Sequence, residues 1–524
     1  MSTSHLRLRG PLAVHPAVID RRVRDLAVLG LSALVPGVLA LAITLELPTH
    51  DLPLVLAAIV GVIGIVALMV SSRMDVTVAL LAIYLGMLNG PIKLGIGAHE
   101  LTAAISDVLI LAVCLGAVMR IVVHRDRVRL PPMASWVVAF TGVVMIEAFN
   151  PNTHGVLHTI GGFRQQLQWL PFFFFGYLLM RSKKRFRQMF LIVCVAALAN
   201  GVVAAYQTGL TPAQLAGWGP GYHQLIYPTT GTGRTYTSEG EARVRPPGLG
   251  SEAGFSGGVG MLALPFGLAL LASSRRRRWV YVVLCLGALV ALLTGLGRLQ
   301  LVGAGLGVVA FAALAAAAGQ RVLRTLGALL AIAALAVPTG LLLVSALRPG
   351  TFNRYESIST NSSTTLHKSS ALELVPRYLE AAPFGFGLGS VGPVSGFGGK
   401  NANLLEGHGV STETQYNFIV TELGAPGLLV WVAMSVYLMF IVAFGMRRVR
   451  DSDLAVCLAA AFAPVFALFI EGTSGPISDS AAAGPYFWFA LGTAAYWFAG
   501  PGQRSRMIAT ARSLTGPIPA KAGV

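Results

Sequence analysis

Residues 413–445 read ETQYNFIVTELGAPGLLVWVAMSVYLMFIVAFG, an apolar run over 416–445 with a carboxylate, Glu413, at its mouth. A run of about 20 apolar residues is enough to cross the hydrocarbon core of a bilayer as a helix. Ahead of it lies a long polar segment, residues 348–414, which contains RPGTFNRYESISTNSSTTLHKSS and PFGFGLGSVGPVSGFGGKNANLLEGHG and has apolar sequence on both sides. Unpaired backbone groups are costly in lipid, so an irregular segment of this length belongs in water on one face of a membrane. The sequence thus describes helices that hold a working loop at the rim of a bilayer.

Outward from this junction, apolar runs able to span recur at 26–46, 52–70, 76–90, 101–123, 134–149, 165–180, 189–207, 252–273, 279–296, 299–318, 325–347, 416–445, 453–471 and 482–500. Two of these fourteen, 76–90 and 134–149, are short, so 12 to 14 spans are expected. Composition agrees: the 524 residues are 55% hydrophobic and 12% charged, with mean hydropathy +0.69, whereas a soluble domain carries about 25% charged residues. The expected fold is all-α, a polytopic transmembrane helical bundle with a long extracytoplasmic loop carrying short surface helices. The 25 mostly polar residues before the first run do not have the form of a cleavable signal peptide. Cys114, Cys194, Cys285 and Cys457 all sit inside apolar runs, where free cysteine behaves as a small hydrophobe. Neither a disulfide framework nor a metal site is indicated.

Lysine and arginine set the orientation. With the N-terminus in the cytoplasm and the sides alternating at each span, 28 of the 39 basic residues fall on the cytoplasmic side. Eight of the other 11 lie in two long outer loops, and the short outer connections keep only Lys93, Arg164 and Arg298. The net charge of +17 is therefore a topology signal directed at anionic lipid headgroups, and a nucleic-acid partner is excluded. The organisation that follows is a cytoplasmic tail (1–25), membrane helices (26–207), an outer loop (208–250), further helices (251–347), the large outer loop (348–414), C-terminal helices (415–500) and a cytoplasmic tail (501–524). Within the large loop, apolar Leu372, Val375, Leu379 and Ala382 are spaced for a short amphipathic helix over 371–382, which Pro376 should keep short and Pro383 should stop.

Several residues at the outer face have chemical potential. Arg298, in the tight hairpin Thr294-Gly295-Leu296-Gly297-Arg298, stands close to apolar sequence on both sides. An arginine at mid-membrane costs about 2.5–3.5 kcal/mol, so such a residue faces water or a partner; the plainer reading is a snorkelling helix end. Arg245, in Arg243-Val244-Arg245-Pro246-Pro247-Gly248-Leu249, has the forked guanidinium that suits phosphate oxygens, while Arg243 is expected to pair with a nearby glutamate. Glu413 can take a proton from a hydroxyl or simply favour the helix dipole; His408 can assist or replace it. Glu422 reads as structural. Gly385, Gly387 and Gly389 fit either an anion-binding nest or a turn. Of the outer histidines only His154 and His158 are close together, and no carboxylate lies at metal-ligand spacing.

Taken together, these segments resemble the O-antigen ligase and O-antigen polymerase family of bacterial membrane proteins. Arg245 through Phe255 is similar to the family's arginine-glycine segment, and Thr294 through Arg298 to its Thr-x-Ser-Arg-Gly hairpin, with Gly297 in the place of serine. Pro383 through Gly389, followed by Glu413 through Gly427, resembles the close of the large periplasmic loop. Counting back from Gly424 and Gly427 puts Glu413 and Thr414 where ligases carry His-Asn; polymerase-like relatives carry an acid there. The resemblance implies an inverting glycosyltransferase of the C type, metal-independent and without cofactor, in the bacterial inner membrane. It would transfer oligosaccharide from a polyprenyl-pyrophosphate carrier to a glycan or lipid-glycan acceptor, as a polymerase rather than a ligase. Arg245, Arg298 and Arg354 would hold the pyrophosphate and Glu413 or His408 would be the base; membrane lipids and polysaccharide-assembly proteins would be partners. A multi-pass transporter or flippase of lipid-linked glycans, or a scaffold without catalysis, are the competing expectations.

Overall fold

A computed structural model of the chain describes residues 74–97, 100–124, 130–153, 155–228, 234–238, 240–273, 276–320, 355, 362–392, 414–473, 475–478 and 480–500. The chain divides into two compact units, Met1–Thr77 with Val108–Arg129, and Val78–Asp107 with Leu130–Val524. Of the first unit the described residues are the opening of helix α1 (Met74–Ile96) and the latter part of helix α2 (Glu100–His124). The second unit carries α3 (Ala134–Glu147), α4 (Val156–Leu167), α5 (Pro171–Leu179), α6 (Lys183–Thr208), α7 (Pro212–Ala216), α8 (Pro220–Ile226), α9 (Phe255–Ser273), α10 (Arg278–Thr294), α11 (Arg298–Ala317), α12 (Ser362–Ala381), α13 (Gln415–Met446), α14 (Ser452–Glu471) and α15 (Ala483–Trp497).

The described chain is mostly helical, and six of its helices (α1, α6, α9, α11, α13 and α14) are long and apolar enough to cross a membrane. The expected runs at 26–46, 52–70 and 325–347 lie outside the described residues. The short run at 76–90 belongs to a longer helix, α1, which contains a π turn at Tyr84–Leu88 just ahead of Asn89-Gly90-Pro91. In that wider register the partner of the Gly86 carbonyl would be Pro91, which has no N–H to give. The Asn200 side chain donates to Gly86 O instead, at 2.8 Å.

The expected span at 165–180 is not one helix. It divides into α4, which buries His158, Gln165 and Gln166 while Val156, Leu157 and Ile160 are exposed, and the nine-residue α5. Pro171 explains the break, because proline suits the first turn of a new helix and cannot donate inside an old one. The 208–250 segment carries α7, α8 and a hairpin in which β1 (Thr235–Ser238) and β2 (Glu241–Val244) pair antiparallel, Thr235 opposite Val244. One further expectation is corrected. The helix before Pro383 is not short: α12 runs for 20 residues with Pro376 inside it.

Helix α9 is apolar all round and buried from Phe255 to Leu270, as a helix enclosed by others must be. It packs against α6, α10, α11 and α14, while α5 packs on α15 and α13 on α3 and α12. On the side expected to be cytoplasmic, Asp451 caps α14 by accepting from Leu454 N at 3.0 Å and meets Lys183 at 3.0 Å; Arg187 meets Asp453 at 3.3 Å. Partial burial raises the Asp451 carboxyl, but the Leu454 N–H and the Lys183 ammonium outweigh it and hold the group below its ordinary value. A carboxyl depressed in the fold adds stability that is fully present above its unfolded value of about 3.9 and is lost as pH falls through the folded value. Asp451→Ala should therefore cost about 1 kcal/mol at neutral pH. Thermal unfolding in detergent should show that difference shrinking in acid.

Candidate active site

Two segments far apart in sequence meet in the second unit, and a third is linked to them through the connection between α14 and α15. The first is residues 245–254, between β2 and α9. Arg245 N donates to Arg234 O at 3.0 Å, and Gly254 N reaches back to Pro246 O at 3.2 Å, closing the segment on itself. Two fully buried carboxamides from α6 hold its centre. Gln207 both accepts from Gly248 N (2.8 Å) and donates to Gly248 O (3.1 Å), while Asn200 Oδ1 accepts from Leu249 N at 2.9 Å. Neutral amides satisfy buried backbone here without the desolvation penalty of an ion. Arg243 is buried, with its Nη2 4.0 Å from Glu241 Oε2, the kind of pairing expected of it; Arg245 is half-buried.

The second segment is the turn 294–298. Leu296 has φ of 53° and is fully buried, a left-handed conformation that is sterically unfavourable for a leucine and persists only where the surroundings impose it. Those surroundings include the start of α9: a Cβ on Gly295 would lie 2.5 Å from Gly257 N, and one on Gly257 would lie 2.2 Å from Gln300 Oε1. At position 295, where the neighbour is backbone, only glycine allows such an approach. The turn delivers Arg298, half-buried, at the first position of α11. Tyr355 donates to Leu293 O at 2.8 Å, so the residue after Arg354 is tied to the same turn.

The third is the start of α13. Thr414 caps it, its hydroxyl accepting from Asn417 N at 3.0 Å. Gln415 donates through its backbone N to Gly472 O (2.8 Å) and through Nε2 to Ser478 Oγ (2.6 Å), and accepts from Ser478 N (2.9 Å). Two residues on, Ser480 Oγ bonds Glu252 Oε1 at 3.3 Å. The connection between α14 and α15 thereby ties the start of α13 to the segment that follows Arg245. Glu413, His408 and Arg354 lie outside the described residues, as does His154.

The glycine loop 385–389 has a different role from an anion nest. Gly385, Gly387 and Gly389 do take positive φ (86°, 91° and 72°), but the amides of Gly385, Phe386, Leu388 and Gly389 donate to Ala382 O, Thr421 O, Thr153 Oγ1 and Glu422 Oε1. Its amides are taken up by the protein itself, one of them by the side chain of Glu422. That carboxylate is fully buried and also accepts from Gln165 Nε2 at 3.0 Å and Gln166 Nε2 at 2.7 Å. Asn150 Nδ2 adds bonds to Glu147 Oε2, Phe384 O and Gly385 O. His158 is buried beneath the loop, with its carbonyl 2.7 Å from where a Cβ of Gly389 would stand.

Gln165, Gln166, Asn200 and Gln207 were not singled out from the sequence. The available signal was an amide side chain inside or beside an apolar run, which calls for a partner wherever it is buried. Comparison of the chain with models of protein families, with curated proteins and with solved structures gives no match. Gln207→Leu would strand the Gly248 N–H and carbonyl, each worth about 1–3 kcal/mol when buried and unmet. The expected result is a lower unfolding temperature in detergent with insertion into the membrane retained.

Proposed function

We propose that this chain is a metal-independent, inverting membrane glycosyltransferase, a polymerase rather than a ligase, with 12 to 14 spans in the bacterial cytoplasmic membrane and both termini cytoplasmic. Its donor is an oligosaccharide on a polyprenyl-pyrophosphate carrier, its acceptor a glycan or lipid-glycan on the outer face, and polysaccharide-assembly proteins are its partners. The observation that carries this reading is the contact of residues 245–254 with the turn 294–298 and their link, through Ser478 and Ser480, to the start of α13. The first two bring arginine-bearing backbone to one place, and Glu413 directly precedes the third in the chain. The resemblance of these same segments to the O-antigen ligase and polymerase family supports it as well.

The chemistry balances with these groups. Glu413, or His408 in its stead, takes the proton of the acceptor hydroxyl as its oxygen attacks the anomeric carbon. The bond from that carbon to the carrier's phosphate breaks, and the electron pair leaves with the polyprenyl pyrophosphate. Arg245, Arg298 and Arg354 offset the charge that develops on the departing diphosphate, and direct displacement inverts the anomeric centre.

One observation favours a multi-pass transporter or flippase: α13 is broken at Gly424 beside a buried carboxylate, a pattern found where transporters bind substrate. The groups freed at that break, however, are taken up by residues 383–389. Purified protein in proteoliposomes with labelled lipid-linked glycan separates the two, because a flippase moves the lipid and leaves its glycosyl bond intact. Arg298→Lys keeps the charge without the fork and should abolish transfer with membrane insertion unchanged; normal turnover would remove Arg298 from the mechanism. Glu413→Gln should bind donor lipid as the wild type does and fail to transfer; continued elongation would point to His408 or to no general base.

A further inference from the structure

We propose that Glu422 is a positioning residue, the latch that holds the break in α13 and thereby aims the opening turns of that helix, Gln415 to Leu423, at the site. Its activity readout rests on the transferase reading above. Both carboxylate oxygens are committed: Oε1 accepts from Gly389 N (3.1 Å) and Gln165 Nε2 (3.0 Å), Oε2 from Gln166 Nε2 (2.7 Å). The side chain has no exposure, so it cannot meet an acceptor hydroxyl. Around it, Phe386 N donates to Thr421 O at 2.7 Å and Ala425 N to Pro383 O at 2.8 Å, so the loop is stitched to both sides of the break.

An acid that acts by shape and one that acts by charge respond differently to Glu422→Gln. Oε1 of the new glutamine can still accept from Gly389 N and Gln165. Its Nε2 would face the Gln166 amide, but Gln166 Oε1 is buried with no hydrogen-bond partner, and a flip of that amide supplies the acceptor. Glu422→Ala offers no such repair and removes all three bonds.

The experiment uses the full chain with its four cysteines replaced by alanine and Leu388→Cys added. Leu388 is fully buried in the docked loop, so a membrane-impermeant maleimide reports undocking. We expect the thiol to stay protected with Glu422 or E422Q and to be labelled with E422A. Transfer should survive E422Q within about threefold, while E422A lowers kcat by about a hundredfold, as displaced catalytic geometry does, with donor KM little changed. Loss of transfer in E422Q with the thiol protected would overturn the proposal and make Glu422 a chemical participant. Full activity and protection in E422A would overturn it too. Should E422A fail to reach the membrane, Gln166→Leu removes one donor and should give partial labelling; unchanged protection there counts against the latch. Absence of transfer in the wild type would sink the transferase reading alone, because the labelling still decides the latch.

Discussion

A single backbone hydrogen bond that α13 does not make governs the architecture of this part of the second unit. In a regular helix the Ala425 N–H would bond Thr421 O. Here Gly424, at φ 59° and ψ −156°, breaks the ladder, and Pro426 two residues later has no N–H to contribute. The Ala425 N–H goes to Pro383 O, and Thr421 O accepts from Phe386 N. One bond within a helix becomes two bonds between segments, and the glycine loop is fastened to the broken span at both. The position must be glycine for steric as well as torsional reasons, because a Cβ there would stand 2.4 Å from Pro383 O.

The surrounding polar groups follow the same economy. Where a backbone segment enters low dielectric, its N–H and C=O groups need partners, and an uncharged carboxamide supplies both a donor and an acceptor at modest desolvation cost. Asn200 serves the π turn of α1 with Nδ2 and the 245–254 segment with Oδ1. Gln207 makes a two-bond clamp on Gly248, and Gln415 makes another on Ser478. Glu422 is the acidic exception. Its side-chain oxygens accept from Gly389 N, Gln165 Nε2 and Gln166 Nε2, so the buried acid, like the amides, has polar partners.

This arrangement shows how the backbone here is fixed. Carboxamides and one buried acid hold it, and the arginines at positions 245 and 298 are half-buried beside it. The strained Leu296 fits the same pattern, since a turn held in an unfavourable conformation by its neighbours delivers Arg298 at a helix start.

The sequence by itself determined the membrane character, most apolar helices, the helix stop before Pro383 and the pairing of Arg243 with a nearby glutamate. Those features arise from composition, charge placement and proline chemistry, all of which act locally along the chain. The division of 165–180 at Pro171 and the β-hairpin are local features that hydrophobic periodicity does not mark. Tertiary structure alone decided which backbone groups Asn200, Gln207 and Gln415 satisfy, and the role of the Gly385–Gly389 loop as a seat for Glu422. Each of these depends on which donor finds which acceptor between segments far apart in the chain, and a buried polar group carries no mark in the sequence of the distant partner that will satisfy it.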